Sequence, residues 1–222
     1  MSMRQALIVG GTGGLGSAVV DALKNDYSFD DLWLSSDRPD VMDPNAYEHV
    51  QTNLDLAIYF AGINLTKPIE DISEEELNHI FSVNILGAFN FVKRLKNKML
   101  GSYNPTFIFA SSIMVNHPYP NRTAYASSKA AIEGLSNALS VELGSAGISS
   151  ICLRLGHLNS LMKSTVTNPA LLEEVKKNTP QSNLMDSHSI GSIIQNIHDC
   201  SSMFNGSVID LDGAYTKNRW PL

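Results

Sequence analysis

The chain has 222 residues, of which 43% are hydrophobic and 17% are charged, and its formal net charge is −6. This length and apolar content suit one large α/β domain and exclude a disordered chain. The acidic balance, without a block of Lys or Arg, argues against a nucleic acid or an anionic membrane as a partner. No apolar run reaches membrane length, and the distant Cys152 and Cys200 predict reduced thiols, a cytoplasmic location, no disulfide and no metal site.

Short apolar runs and helical patterns alternate along the chain. The runs typical of buried strands are 6–10, 31–36, 55–62, 105–112, 147–156 and 206–213, and the helical patterns are 16–25, 73–100 and 123–145. Ser73 and Glu76 have the spacing of a capping box at the start of the second helical pattern. Strands that alternate with helices predict an α/β fold with a doubly wound, mostly parallel sheet and helices on both faces.

The segment 37–54 is too short for a further complete unit of strand and helix. It predicts only a brief extended piece near Val41 and one helix near 44–51. The sheet is therefore expected to lack one strand or to carry a stub of it.

The glycine-rich stretch "IVGGTGGLGSAVV" (8–20) follows the first predicted strand and opens the first predicted helix. Glycines in this position let backbone N–H groups approach a pyrophosphate, and the helix N-terminus adds partial positive charge. A tight turn without a ligand is the alternative, and the number of glycines favours the nucleotide site. Three spacings fit the stretch: Gly11, Gly13 and Gly16; Gly10, Gly13 and Gly16; or Gly10, Gly14 and Gly16.

Tyr125 and Lys129 stand four residues apart in "YASSK", at the start of the third helical pattern. That spacing puts both side chains on one face of a helix, where the ammonium group would favour the phenolate form of the tyrosine. A pair of exposed side chains is the simpler interpretation of these two residues alone, so the rest of the chain decides.

Several motifs in the same order resemble the short-chain dehydrogenase/reductase family across nearly the whole chain. The glycine loop matches at Gly10, Gly14 and Gly16, "YFAG" (59–62) at Ala61 and Gly62, "VNILG" at Asn84, "YASSK" at Tyr125 and Lys129, and "LGHLNS" at Gly156. Ser112 precedes Tyr125 by thirteen residues, the usual family spacing. The departures from the family pattern are Val9, Tyr59, Phe60, Leu155 and Ser160.

The resemblance implies a single NAD(P)-binding Rossmann domain over 1–222 and an oxidoreductase that interconverts a carbonyl and a secondary alcohol by hydride transfer. Ser112 would hydrogen-bond the substrate oxygen, and Tyr125 would donate or remove its proton. Lys129 would support Tyr125 and bind the nicotinamide ribose, and Asn84 would hold a water in a proton relay. Three alternatives stay open: Ser112 only caps the strand end, Ser111 is the active hydroxyl if the register slips, and Asn84 only satisfies a neighbouring carbonyl.

The cofactor would be NADP or NAD. An acidic residue after the second strand favours NAD and a basic one favours NADP. Asp37 therefore argues for NAD, whereas Ser36 with Arg38 argues for NADP, which we favour. The full set of expected cofactor-binding residues is Gly10, Thr12, Gly13, Gly14, Leu15, Gly16, Asp37, Arg38, Asp40, Val41, Ala61, Gly62, Tyr125, Lys129 and Gly156.

The family resemblance also implies a small-molecule substrate under a mobile lid at about 157–186, with His117, Pro118 and Tyr119 as candidate pocket residues. It implies a homodimer or homotetramer, to which Trp220 in the C-terminal tail could contribute. Two competing functions remain. One is a cofactor-binding sensor or signalling protein with reduced catalysis, which the changed "YFAG", the short segment 37–54 and Leu155 favour. The other is a nucleotide-sugar epimerase or dehydratase, which usually needs a larger C-terminal region.

Overall fold

Six parallel strands form one sheet in the computed structural model, which describes residues 3–29, 41–43, 45–159 and 169–218, without the side chains of 169–172. The strands are β1 (Arg4–Val9), β2 (Tyr27–Phe29), β3 (Leu56–Tyr59), β4 (Thr106–Ser112), β5 (Ser149–Leu155) and β6 (Val208–Leu211). Their order is β2-β1-β3-β4-β5-β6. The predicted parallel sheet is confirmed. Its direction of winding reverses between β1 and β3, and open sheets bind ligands at the carboxyl end of such a switch.

Helices cover both faces of this sheet, as predicted. They are α1 (Gly14–Leu23), α2 (Glu74–Phe81), α3 (Gly87–Leu95), α4 (Thr123–Glu142), α5 (Pro169–Asn178), α6 (Ser187–Asp199) and α7 (Ser201–Phe204). One core packs α3 and α4 against the sheet through Phe91, Phe107 and Leu135. The other packs α1 and α6 against the opposite face through Val19 and Ile190.

Helix α6 was missed by the sequence analysis, although its sequence carries the signals of a helix. Asp186 caps it by accepting a hydrogen bond from the Ser189 backbone N–H at 3.0 Å. Ile190, Ile194 and Ile197 follow at helical spacing and are all buried. The predicted capping box at α2 is confirmed, because Ser73 and Glu76 exchange both of its hydrogen bonds.

One further prediction, a helix, needs correction, and another, a strand, falls outside the described residues. The predicted helix near 44–51 is wrong: residues 45–49 form successive turns, with hydrogen bonds three residues apart such as Glu48 N–H to Asn45 O at 3.1 Å. The predicted strand 31–36 lies outside the described residues, and β2 precedes it at Tyr27–Phe29.

The predicted helical segment 73–100 is interrupted by a π-helical turn at Ser82–Leu86. Gly87 N–H donates to Ser82 O across this turn, and the Val83 carbonyl instead accepts a 2.6 Å hydrogen bond from the Tyr59 hydroxyl. A Cβ on Gly87 would lie 2.3 Å from that hydroxyl oxygen, so the missing side chain makes room for it. The π turn therefore depends on a tyrosine from β3 and a glycine in the helix.

In the part of the chain that the structure describes, no helix combines the length and apolar character needed to cross a bilayer.

Candidate active site

The glycine turn joins β1 to α1 with very little space between its backbone segments. Gly10 has φ +88°, a conformation that L side chains rarely adopt, and its carbonyl accepts from Gly13 N–H at 3.1 Å. A Cβ on Gly16 would lie 2.2 Å from the Gly10 oxygen. Gly10 and Gly16 are therefore the positions at which the turn needs glycine, which favours the two spacings that contain both.

The N-terminus of α1 is open toward solvent. Thr12 and Gly13 are exposed, Gly14 begins the helix, and Leu15 is half-buried. Gly13 is the N-cap and offers no side chain to the helix, so the first N–H groups of α1 remain for a ligand. These groups and the close glycine backbone fit the pyrophosphate of a dinucleotide.

Asn84 is brought to the site by the π turn and is 1% exposed. Its Oδ1 accepts from Ile63 N–H at 2.8 Å, while its Nδ2 donates to Ile63 O at 3.0 Å and to the Ser128 hydroxyl at 2.9 Å. Ser128 in turn donates to Tyr125 O at 2.8 Å. Both donor hydrogens of the amide are thus used, and Oδ1 keeps one lone pair with which it could accept from a water.

Lys129 is buried under Gly62 at the end of β3. Its Nζ donates to Ala110 O at 2.8 Å and lies 5.8 Å from the centre of the Tyr125 ring. A Cβ on Gly62 would lie 3.2 Å from Nζ and 3.3 Å from Asn84 Oδ1, so this glycine fits between the two side chains. An ammonium has three donor hydrogens, and the bond to Ala110 uses only one of them.

The two serines at the end of β4 have different partners. Ser111 Oγ donates to Glu133 Oε1 on α4 at 2.6 Å. Ser112 Oγ accepts from Met114 N–H at 3.2 Å, a contact that leaves its own proton for another acceptor. The geometry therefore favours Ser112 over Ser111 as a hydroxyl that can meet a ligand.

A half-buried ion-pair network holds α4 against the sheet. Arg154 on β5 contacts Glu133 through Nε at 2.9 Å and Nη2 at 2.6 Å, and Asp210 on β6 through Nη1 at 2.7 Å. The hydrogen bonds to Glu133, followed by those to Asp210, raise the pKa of Arg154, against the effect of burial. Because Tyr125 and Lys129 lie on α4, this network fixes the helix that carries them.

The ends of β5 and β6 meet closely at Gly156. Its N–H donates to Leu211 O at 2.8 Å, and a Cβ there would lie 2.7 Å from Asp212 Cα. Asp212 in turn accepts from Ala214 N–H at 2.9 Å and from the Thr216 hydroxyl at 2.6 Å. Gly156 thus lets the segment after β6 fold over the end of the sheet.

Four aromatic side chains from three strand ends form what we call the aromatic cluster: His117, Tyr119, His157 and Tyr215. The Tyr119 hydroxyl lies 2.6 Å from that of Tyr215 and 2.9 Å from His157 Nε2. The rings of His157 and Tyr215 are 5.2 Å apart, and those of His117 and Tyr215 are 5.5 Å apart. His117 and Tyr119 are pocket candidates predicted from the sequence, whereas Tyr215 is added by the structure.

The segment expected to be a lid is joined at its two ends. Asn159 N–H donates to Met185 O at 2.7 Å, and Met185 N–H donates to His157 O at 3.2 Å. Helix α5 lies between these ends, whereas Ser160 falls outside the described residues. The segment thus leaves and rejoins the domain beside the aromatic cluster.

The adenosine end of the expected site is described only at Val41 and the glycine turn. The Val41 carbonyl accepts from Asn90 Nδ2 at 2.8 Å, and its side chain packs against the core on the α3 face. Asp37, Arg38 and Asp40 lie outside the described residues. Ala61 follows β3, and its backbone N would lie 2.9 Å from a Cβ on Gly10.

Among the described residues, no group of three or more His, Cys, Asp or Glu side chains is arranged to hold a metal ion. Burial raises the pKa of the Cys152 thiol to about 12, with the Glu133 carboxylate adding to the effect. That sulfur therefore stays a neutral thiol in the core.

A doubly wound parallel sheet with a glycine turn at its switch point defines the class of Rossmann-type α/β proteins. A model of the short chain dehydrogenase family matches residues 39–170, more than half of the chain. The chain belongs to this family.

The sequence identity between this chain and individual relatives is low. The chain is 29% identical over 148 residues to an NADPH-dependent aldehyde reductase-like protein of Arabidopsis thaliana, covering 66% of this chain and 55% of that protein. It is 31% identical over 160 residues to an uncharacterized oxidoreductase of Escherichia coli, covering 69% and 64%. The matches thus span less than two thirds of both relatives. A small-chain dehydrogenase solved in complex with NADPH has the same fold, with a TM-score of 0.86, 18% identity and coverage of 96% and 99%.

Proposed function

We propose that the protein is an NAD(P)(H)-dependent oxidoreductase that interconverts a carbonyl and a secondary alcohol, with Tyr125 as the acid and base. The observation that carries this proposal is the hydrogen-bonded frame around Tyr125. Lys129 lies beneath the ring, Asn84 reaches the Tyr125 carbonyl through Ser128, and Gly62 leaves room between Lys129 and Asn84. A frame of this kind holds an acid/base group in one orientation, which is what proton transfer needs.

In carbonyl reduction, Tyr125 would donate a proton to the substrate oxygen while Ser112 hydrogen-bonds the same oxygen. The Lys129 ammonium would stabilise the phenolate that remains, because opposite charges attract strongly in a partly buried site. Asn84, through its remaining Oδ1 lone pair, would orient a water that returns the proton. In alcohol oxidation the same groups would act in the reverse order.

The residues of the glycine turn would hold the cofactor pyrophosphate on the N–H groups of Gly14, Leu15 and Gly16. The two unused hydrogens of Lys129 Nζ would bind the nicotinamide ribose, and the backbone at Gly156 would lie beside the nicotinamide. The bound nicotinamide would supply or accept the hydride.

We propose NADP as the cofactor, with NAD as the alternative. The Arabidopsis relative is described as NADPH-dependent, and the structural neighbour with a TM-score of 0.86 contains NADPH. Arg38 would pair with the 2′-phosphate, whereas Asp37 would favour the free hydroxyl of NAD. We also propose a cytoplasmic homodimer or homotetramer acting on a small molecule, with 157–186 closing over it.

A sensor that binds the cofactor without turnover is the second candidate, and the Leu155 departure favours it. The first experiment is a thermal-shift titration with NAD⁺, NADH, NADP⁺ and NADPH. A ligand at 100 times its dissociation constant stabilises a fold by about 2.7 kcal/mol. No shift with any of the four would contradict cofactor binding and with it both candidates.

Turnover then separates enzyme from sensor. With the preferred cofactor and a panel of aldehydes and ketones, we expect Tyr125→Phe to lower kcat by about 10²- to 10⁴-fold without loss of cofactor binding. Tyr103→Phe is the matched control, because Tyr103 is 63% exposed and lies outside the site. Turnover that survives in Tyr125→Phe would remove the tyrosine from the mechanism.

A further inference from the structure

Arg122 is a charged residue next to the site that the proposed reaction does not use. It directly precedes α4, and its carbonyl accepts from Ala126 N–H at 2.8 Å. Its Nη1 is shielded from solvent and has no hydrogen-bond partner among the described residues. A guanidinium is always charged, and buried donors normally have an acceptor. A bound ligand is one source of that acceptor.

The charge of Arg122 acts on the aromatic cluster. Burial, followed by the charges of His117 and Arg122, lowers the pKa of His157, which is therefore neutral at pH 7. Burial and the hydrogen bond with Tyr215 raise the pKa of Tyr119, so that hydroxyl also stays neutral. The acidic group that acts on Tyr119 is Glu174 on α5, which is exposed and screened by solvent. Among the described residues, this region thus combines the permanent charge of Arg122 with neutral hydrogen-bonding groups.

The position of this region relates it to the proposed reaction centre. Arg122 is the N-cap of α4 and precedes Tyr125 by three residues, so the two residues belong to the same end of this helix. His117 follows Ser112 by five residues, and its backbone N–H donates to Ile113 O at 2.7 Å. His157 directly follows Gly156, at the end of the strand that pairs with β4. A ligand held here by one end would present its other end to Ser112 and Tyr125.

We propose that Arg122 and the aromatic cluster bind a carboxylate of the substrate, so that the substrate is a carbonyl or alcohol compound with one carboxylate. This rests on the proposed oxidoreductase function and makes it more specific. The planar guanidinium matches a carboxylate, and the rings of the cluster can pack on a carbon skeleton. The one charge of the Arg122 guanidinium suits a monoanion better than a phosphate, which carries nearly two negative charges at pH 7.

Binding is tested first, because it needs no turnover. The melting temperature of the full chain is measured with benzoate, benzamide and phenylphosphonate, each with and without NADPH. We expect benzoate to stabilise the protein more than its neutral isostere benzamide. Arg122→Gln should abolish this difference, Arg122→Lys should keep part of it, and Arg94→Gln, an exposed arginine on α3, should leave it intact. Equal shifts with benzoate and benzamide, or a difference that survives in Arg122→Gln, would overturn the proposal. A larger shift with phenylphosphonate would replace the carboxylate by a phosphate.

Turnover of a matched pair of ketones gives the second measurement. We expect kcat/KM for para-acetylbenzoate to exceed that for para-acetylbenzamide by about tenfold or more. The ratio should fall toward one in Arg122→Gln and stay unchanged in Arg94→Gln. A ratio near one in the wild-type protein would overturn the proposal. If neither ketone is turned over while benzoate still binds through Arg122, the oxidoreductase function fails and the carboxylate site stands.

Discussion

Gly16 and Gly134 are helical glycines with opposite surroundings, so alanine at each position tests the geometry of the glycine turn. A Cβ on Gly16 would lie 2.2 Å from Gly10 O and 2.6 Å from Gly11 Cα, both backbone atoms that cannot rotate away. A Cβ on Gly134, exposed on α4, would meet no atom of the described residues within 4 Å. The two substitutions make the same chemical change, and only the first forces two chain segments apart.

The two substitutions are expected to change the free energy of unfolding in opposite directions. Alanine gains up to about 1 kcal/mol over glycine from helix propensity, so Gly134→Ala should stabilise the protein by about 0.5–1 kcal/mol. At Gly16, overpacking costs about 1–3 kcal/mol and exceeds that gain. A change of 1 kcal/mol moves the melting temperature of a domain this size by about 2–4 °C.

Thermal and urea unfolding of both variants measure these changes, and a titration with NADPH measures binding. Gly16→Ala should also lower the affinity for NADPH by at least about tenfold, because the displaced start of α1 no longer presents its N–H groups to the pyrophosphate. Gly134→Ala should bind NADPH like the wild-type protein. If Gly16→Ala matched the wild-type protein in both stability and affinity, the tight turn described above would be refuted.

Two further predictions concern His198 and Tyr59. His198 accepts from the Tyr27 hydroxyl at Nδ1 (2.6 Å), its Nε2 faces two carbonyl oxygens, and burial, followed by the charge of Arg4, lowers its pKa. Its stabilising contribution is therefore complete above the unfolded pKa of about 6.5 and is lost as pH falls from there through the lower folded pKa, at up to about 1.4 kcal/mol per pH unit. Urea unfolding between pH 8 and 5 should show that the free energy of unfolding depends less on pH in His198→Gln than in the wild-type protein. The exposed His188→Asn should keep the wild-type dependence. If His198→Gln also kept it, His198 would not be its source. Tyr59→Phe should lower the free energy of unfolding by about 1–3 kcal/mol, because Val83 O loses its hydrogen-bond donor. It should also lower kcat, because the π turn that presents Asn84 is weakened. A variant with wild-type stability and kcat would show that the π turn forms without this bond.

The strands other than β2 could be predicted from the sequence, and the candidate site residues could be proposed from it, because each leaves a local signal. Buried parallel strands are continuous apolar runs, and the glycine turn and "YASSK" are short motifs. The partners of these residues leave no such signal. Arg154 and Glu133 are 21 positions apart and meet only because β5 packs under α4. The sequence pattern at 45–49 is also that of a helix, and the structure has turns there instead. The contact of this region with α3 is not visible in the local sequence: Asn90 Nδ2 on α3 donates to Asp43 O at 3.1 Å.

The Tyr59 departure from the family motif was one argument for a protein that has lost catalysis, and the structure gives it another meaning. A tyrosine at this position is long enough to reach the π turn and donate to Val83 O, and Gly87 has no side chain that would block it. The π turn that results directs Asn84 toward Ile63 and Ser128, and Ser128 is bonded to the backbone of Tyr125. Tyr59 therefore takes part in the frame around the proposed acid/base. Because it supports that frame from the core, its presence does not argue for a sensor over an enzyme.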